Sequence, residues 1–127
     1  GKTTMSFITR TGNLAATPEL RRNENGQAYC FATVIVNDTI NNNGTYETIS
    51  TTPYNLTVNG TQAEQLVTTA KQAGNIRVTF TGTYRIRNYK RDDGSTGTSH
   101  YVRVTDIGAS FKGQRVTVAR VEIRHET

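Results

Sequence analysis

Residues 75–91, NIRVTFTGTYRIRNYKR, decide the reading of this chain because alternate positions carry different chemistry. Ile76, Val78, Phe80, Tyr84 and Ile86 fall on one side, with Gly82 among them. Arg77, Thr79, Thr81, Thr83, Arg85 and Arg87 fall on the other. This is the period of a half-buried β-strand, whose successive side chains point to opposite faces. It runs for about twelve residues, against the ~5–6 of an ordinary strand. A glycine inside so long a strand predicts tight curvature, as at a barrel corner. The polar side ends in Arg85 and Arg87, followed by Tyr89, Lys90 and Arg91 ahead of a turn at Asp92-Asp93-Gly94. An apolar inner face and a cationic, aromatic-tipped outer edge predict a surface that holds an anionic chain.

Working back from that strand, residues 61–74 predict one helix. Thr61 is placed to cap it, and Glu64 three residues on completes a capping box. Ala63, Leu66, Val67 and Ala70 follow the i, i+3, i+4, i+7 spacing of one buried face. Gly74 stands where a left-handed C-terminal cap is needed. Further upstream, residues 5–14 read as a first strand and residues 27–37, QAYCFATVIVN, as a second that follows the Asn25-Gly26 hairpin signal. Ala28, Cys30, Ala32, Val34 and Val36 give that second strand one apolar face. Tyr29, Phe31, Thr33 and Ile35 give the other, which predicts a central strand. Residues 38–45, DTINNNGT, read as a polar, mobile loop. Residues 46–59 read as a third strand interrupted by Pro53, which fits an edge, a bulge or a strand start. Downstream, residues 90–99 read as a hairpin loop and 100–107 as a fifth strand. Residues 114–124 read as a further strand or an ordered extension.

Three strands, one short helix and two more strands match an all-β class with one short helix: the OB-fold, a five-stranded Greek-key barrel. A barrel of this size fills its interior with side chains, so ligands bind on outer strand faces and loops. The 127 residues make one domain with room for a real core. Eleven glycines, two prolines and no tryptophan suit β-structure rich in turns. A net charge of +5 favours an anionic partner. The single Cys30 has no partner for an internal disulfide, which points to a reducing, cytoplasmic setting. No apolar run approaches the ~20 residues of a membrane span, and no charged-then-apolar leader opens the chain. Residues 1–4, ahead of Met5, read as an expression remnant. His100 and His125 lie far apart and belong to no metal-ligand spacing, and Asp92-Asp93 reads as turn chemistry. We therefore expect no enzyme, no cofactor, no metal and no small-molecule substrate.

The chain resembles the bacterial single-stranded-DNA-binding protein family. The resemblance rests on Gly12-Asn13-Leu14, Thr17-Pro18-Glu19-Leu20-Arg21, Asn25-Gly26, Gly60, Gln62-Ala63-Glu64, and Gly82 leading through Tyr84-Arg85-Ile86-Arg87 to Tyr89. These fall in family order over residues 5–111, leaving 112–127 as a C-terminal extension. The resemblance implies sequence-tolerant binding and protection of single-stranded DNA in replication, recombination, repair or conjugative transfer. It also implies assembly as a homo-oligomer. Family members stack bases on several aromatics, often tryptophan, and this chain departs from that pattern. Tyr89 matches one stacking position; the position before Gly60 is Asn59, another falls at Pro53 or Tyr54, and a third, near Ile40, is lost. Where cellular members carry a long acidic tail, this sequence stops at Thr127. It resembles compact, divergent members found on plasmids, phages or other mobile elements.

Single-strand binding needs cations along the phosphates and flat π-faces for the bases. The expected cations are Arg85, Arg87, Lys90 and Arg91, with Arg77 further back and Arg10, Arg21 and Arg22 extending the track. The expected platforms are Tyr89 and Tyr54. Tyr84 alternates with Phe80 and Ile86 and reads as core; Tyr46 and Tyr101 are weaker candidates. Tyr29 and Phe31 read equally as an extra platform or a subunit contact. The alternative function is an OB-fold module that binds protein or RNA.

Overall fold

The structure is a computed structural model that describes residues 6–122. The expectations for residues 1–4, for Met5 in the first strand and for residues 123–127 lie outside the described residues. In chain order the elements are β1 (Ser6–Leu14), β2 (Arg21–Arg22), β3 (Ala28–Asn42), β4 (Thr45–Asn59), α1 (Gly60–Ala73), β5 (Arg77–Lys90) and β6 (Thr96–Ala109). The sheet runs β1-β5-β6-β4-β3-β2, and β1 also pairs with β3, which closes the five long strands into a barrel. The closing pairs are Asn13 with Ile35 and Leu14 with Val34. Among the described strands only the β4–β6 pairing is parallel. This is the expected OB-fold, with its helix between the third and fourth long strands.

The inner faces supply the core. Cys30, Ala32, Val34 and Val36 of β3, Tyr54, Leu56 and Val58 of β4, Val78 and Phe80 of β5, and Val102 and Val104 of β6 are all buried. Helix α1 adds Ala63, Leu66, Val67 and Ala70, the face that its spacing predicts. Gly82 shows why the long strand needed a glycine. A Cβ there would lie 2.1 Å from the carbonyl oxygen of Arg103, so β6 can approach only a bare Cα. Opposite Gly82 the β5–β6 register shifts, Thr81 facing Asp106 and Gly82 facing Val104, so Thr105 is an extra residue. That bulge increases local twist. Gln62 of α1 ties the helix to it, donating to the Thr105 carbonyl at 3.0 Å and accepting from the Ile107 N–H at 2.9 Å.

Four expectations are corrected. Residues 38–45 are no loop: β3 and β4 continue as a two-stranded arm to the pair Asn42–Thr45. The arm turns at Asn43 and Gly44, with φ of 53° and 87°. Positive φ at both central residues is what a two-residue type I′ hairpin requires. Second, Pro53 does not interrupt its strand. It pairs with Ile35 on one side, while β6 joins β4 only from Tyr54 onward, so no ladder donor is needed at Pro53. Third, the helix takes Asn59 as N-cap without a side-chain cap bond, and Thr61 Oγ1 is buried without a partner. Strand β4 runs straight into the helix at Gly60, so the chain never reaches Thr61 in the extended conformation a cap needs. The C-cap does form, with Gly74 at φ 82° and its N–H on the Ala70 carbonyl. Fourth, residues 110–122 form no strand. They are held instead through Gln114, whose side-chain amide accepts from the Arg77 N–H and donates to the Arg77 carbonyl.

Candidate nucleic-acid interface

The interface is built by the outward residues of four neighbouring strands. Register places Phe31 of β3 beside Thr57 of β4, Thr57 beside Arg103 of β6, and Arg103 beside Thr83 of β5. A second row, two residues along, runs Thr33, Asn55, Tyr101, Arg85. Beyond the edge of β4 the hairpin continues with Ser99 beside Arg87 and Gly97 beside Tyr89. Neighbouring strands lie about 4.8 Å apart, so each row spans roughly 14 Å. None of these residues carries a carboxylate. Thr57, Thr83, Arg85, Tyr101 and Arg103 line a groove of about 270 Å³ on this face.

Cations and rings are interleaved there. The Arg87 guanidinium lies 5.9 Å from the Tyr101 ring centroid. Neither Arg85 nor Arg103 has a side-chain hydrogen bond or an ion pair among the described residues, so both charges are available to phosphates. Tyr89, 45% exposed, lies across Gly97, where a Cβ would meet its Cζ at 2.4 Å. The glycine thus leaves room for the hydroxyl end of the ring against the paired strand. Arg91 folds back over Tyr89 at 5.5 Å and donates to the Thr96 carbonyl at 2.9 Å, clasping the hairpin. Asp93 accepts from the Ser95 N–H and hydroxyl, which is turn chemistry and holds its carboxyl below the usual range. Lys90 is exposed but belongs to the opposite face of the hairpin, as does Ile86. Ile86 is apolar yet 54% exposed because the two-stranded arm has no core beneath it.

Several expected site residues are placed elsewhere. Tyr54 is 6% exposed and offers no stacking face. It alternates with Leu56 and Val58, so its ring points inward, packing against Phe80, Tyr84 and His100. Arg10 is spent on that same barrel end. It donates to the Tyr54 hydroxyl at 3.2 Å and pairs with Asp38 at 2.5 Å. The pair lowers the Asp38 pKa, chiefly through the Arg10 hydrogen bond, and raises that of Arg10. Tyr84 completes the cluster with a 2.6 Å bond to His100 Nδ1, and its own pKa is raised by burial. Arg77 stands eight residues before Arg85, roughly 26 Å along the strand. It donates to the Lys112 carbonyl and to Asn13 Oδ1, so it fastens the C-terminal segment. Arg21 stays on the outer face beside Tyr29, 3.7 Å from Glu19. Arg22 points the other way, to Glu64 at 3.6 Å. Arg103 escaped sequence reasoning and Tyr101 was undervalued. Their outward parity was visible, but the parallel pairing that sets them between β4 and β5 was not.

Among the described residues no cluster of His, Cys, Asp and Glu is arranged to hold a metal ion. Burial pushes the Cys30 thiol up to about 11, so it is inert. Among the described residues no helix is long and apolar enough to cross a membrane.

A closed OB barrel whose outer wall interleaves arginine and tyrosine belongs to the class of oligonucleotide-binding barrels. More narrowly, the chain is a member of the single-strand binding protein family, whose sequence profile matches residues 5–110. Among solved structures it is similar to the small single-stranded DNA-binding protein of Streptomyces coelicolor. There the TM-score is 0.72 at 20% identity, covering 86% of this chain and 97% of that one. It is also similar to the Plasmodium falciparum SSB in complex with ssDNA, with TM-score 0.59 at 12% identity, covering 87% and 98%. At these identities the likeness is one of fold. No curated protein sequence matches significantly.

Proposed function

We propose that this protein is a non-catalytic, sequence-tolerant binder of single-stranded DNA. One observation carries the reading: Arg85, Arg87, Arg103, Tyr101 and Tyr89 share one outer face, with the carboxylate of Asp106 set further along it, opposite Thr81. Membership of the single-strand binding family and the ssDNA bound by the Plasmodium relative support it. The arginines meet phosphates, and Tyr101 and Tyr89 take bases; Lys90 and Arg91 add charge at the tip. Every base has a π-face, so stacking on tyrosine is indifferent to sequence. The proposed role is protection of exposed single strands during replication, recombination, repair or conjugative transfer, in the cytoplasm, by a chain that assembles with copies of itself.

The test is fluorescence anisotropy with labelled dT16, U16 and a 16-base-pair duplex at low salt. The proposal expects dT16 to bind tightest and the duplex at least tenfold weaker. Equal binding to duplex and single strand refutes it. U16 binding above dT16 moves the assignment to RNA.

A further inference from the structure

The outer wall has a second aromatic patch that the β5–β6 interface does not use. Phe31 on β3 is 60% exposed, and Tyr29 meets it edge-on, with centroids 5.6 Å apart and planes at 73°. The edge-to-face contact restrains the Phe31 ring, which favours a fixed platform over a mobile side chain. A single exposed phenylalanine is ordinary on a protein surface, so exposure alone decides nothing. Position decides. Phe31, Thr57 and Arg103 are consecutive in one cross-strand row, which puts the backbones of Phe31 and Arg103 about 10 Å apart. On its other flank, β2 sets Arg21 beside Tyr29. A concavity of about 410 Å³, lined by Ala16, Pro18, Glu19, Arg21, Phe31 and Thr33, opens at that edge. Between ring and arginine, β4 presents only Asn55, Thr57 and Asn59, a floor without bulky side chains.

Resting on the single-strand reading above, we propose that Phe31, braced by Tyr29, is a base-stacking platform. The bound strand crosses the barrel wall from Arg21 and Phe31 over Thr57 to Arg103, Tyr101 and Arg85, rather than following the β5–β6 hairpin alone. Cation, ring, open floor, cation matches the phosphate–base alternation of a nucleic-acid strand. It suits a protein partner poorly. Protein interfaces deplete charge at their centres, and two rings fall far short of the ~800 Å² per partner of a stable contact. The platform also answers the lack of an aromatic on the barrel-wall part of β4, where Asn55, Thr57 and Asn59 face outward.

The chain contains no tryptophan, so Phe31→Trp installs a single fluorescent reporter on the intact protein. Saturating dT16 is expected to quench the emission of that introduced indole, while an abasic oligomer of equal length leaves it unchanged. Phe31→Leu, which keeps the bulk and loses the ring, is expected to weaken dT16 binding about tenfold. Its thermal midpoint and its mass by light scattering should be those of the wild type. Unquenched emission in Phe31→Trp together with wild-type affinity in Phe31→Leu overturns the platform while leaving the binder intact. A change of mass in Phe31→Leu without a change of affinity assigns the patch to a subunit contact and overturns it too. If wild-type protein ignores dT16 altogether, it is the single-strand reading that fails, and the platform falls with it.

Discussion

Two hairpins leave this barrel as two-stranded arms, and they are opposites. The β5–β6 arm carries Arg85, Arg87, Lys90 and Arg91 against Asp92 and Asp93. The β3–β4 arm, built of paired strands of 15 residues each, has Asp38 and Glu47 and not one Lys or Arg beyond the barrel. Its side chains satisfy one another: Thr51 donates to Asn37 at 2.8 Å and Ser50 to Asp38 at 3.2 Å. Asp38 then holds Arg10, fixing the arm to the barrel end. The same architecture thus serves two ends. One arm offers Arg85 and Arg87 outward, and the other spends Asp38 on fixing itself to the barrel end. Function follows the outward chemistry, not the shape.

The largest expected effect falls on the wall beneath the cationic arm. Gly82→Ala drives a Cβ into the Arg103 backbone and should cost about 3 kcal/mol or more by urea unfolding, the upper range for overpacking. Gly44→Ala at the tip of the other arm has nothing within 4 Å and strains only a positive φ, at about 1 kcal/mol. Equal losses would mean that the two arms are anchored alike. Next comes a matched pair of tyrosines. Tyr101→Ala should lose about 1–3 kcal/mol of dT16 binding. Tyr46→Ala, on the β3–β4 arm and 74% exposed, should change the affinity by less than the roughly 0.4 kcal/mol that a twofold shift represents. A comparable loss at Tyr46 would erase the contrast.

The smallest effect is a pH dependence. Asp38 has its folded-state pKa depressed by Arg10, so its contribution to stability is present above the unfolded value of about 3.9 and is lost as pH falls through the lower folded one. Asp38→Asn should flatten that part of the stability–pH curve, followed by thermal unfolding between pH 7 and pH 2. An unchanged curve would show that the arm's carboxylate is not holding Arg10.

Much of this was legible. The alternation in residues 77–84, the buried helix face and the Gly74 cap are local signals, and each is present in the fold. So is the arginine face, because parity alone puts Arg85 and Arg87 outward. Tyr54 was legible too, since even positions 54, 56 and 58 share one side, but the family pattern drew it outward against its own parity. Asn43-Gly44 is a strong hairpin signal that the surrounding run of asparagines made look like loose loop. What local sequence could not supply was strand neighbourhood. Arg103 and Tyr101 matter because β6 pairs in parallel with β4 and antiparallel with β5 at once, a non-local arrangement. The fates of Arg10 and Arg77 have the same cause, since their partners lie 28 and 35 residues away.

The claim that binding rests on the β5–β6 face is tested most directly by the salt dependence of dT16 affinity in wild type and in Arg85→Ala/Arg87→Ala. Each phosphate contact contributes about 0.7 to the slope of log affinity against log salt. Losing two should make the double variant's slope shallower by about 1.4, with affinity reduced for every base composition alike. Parallel slopes in the two proteins would contradict the account.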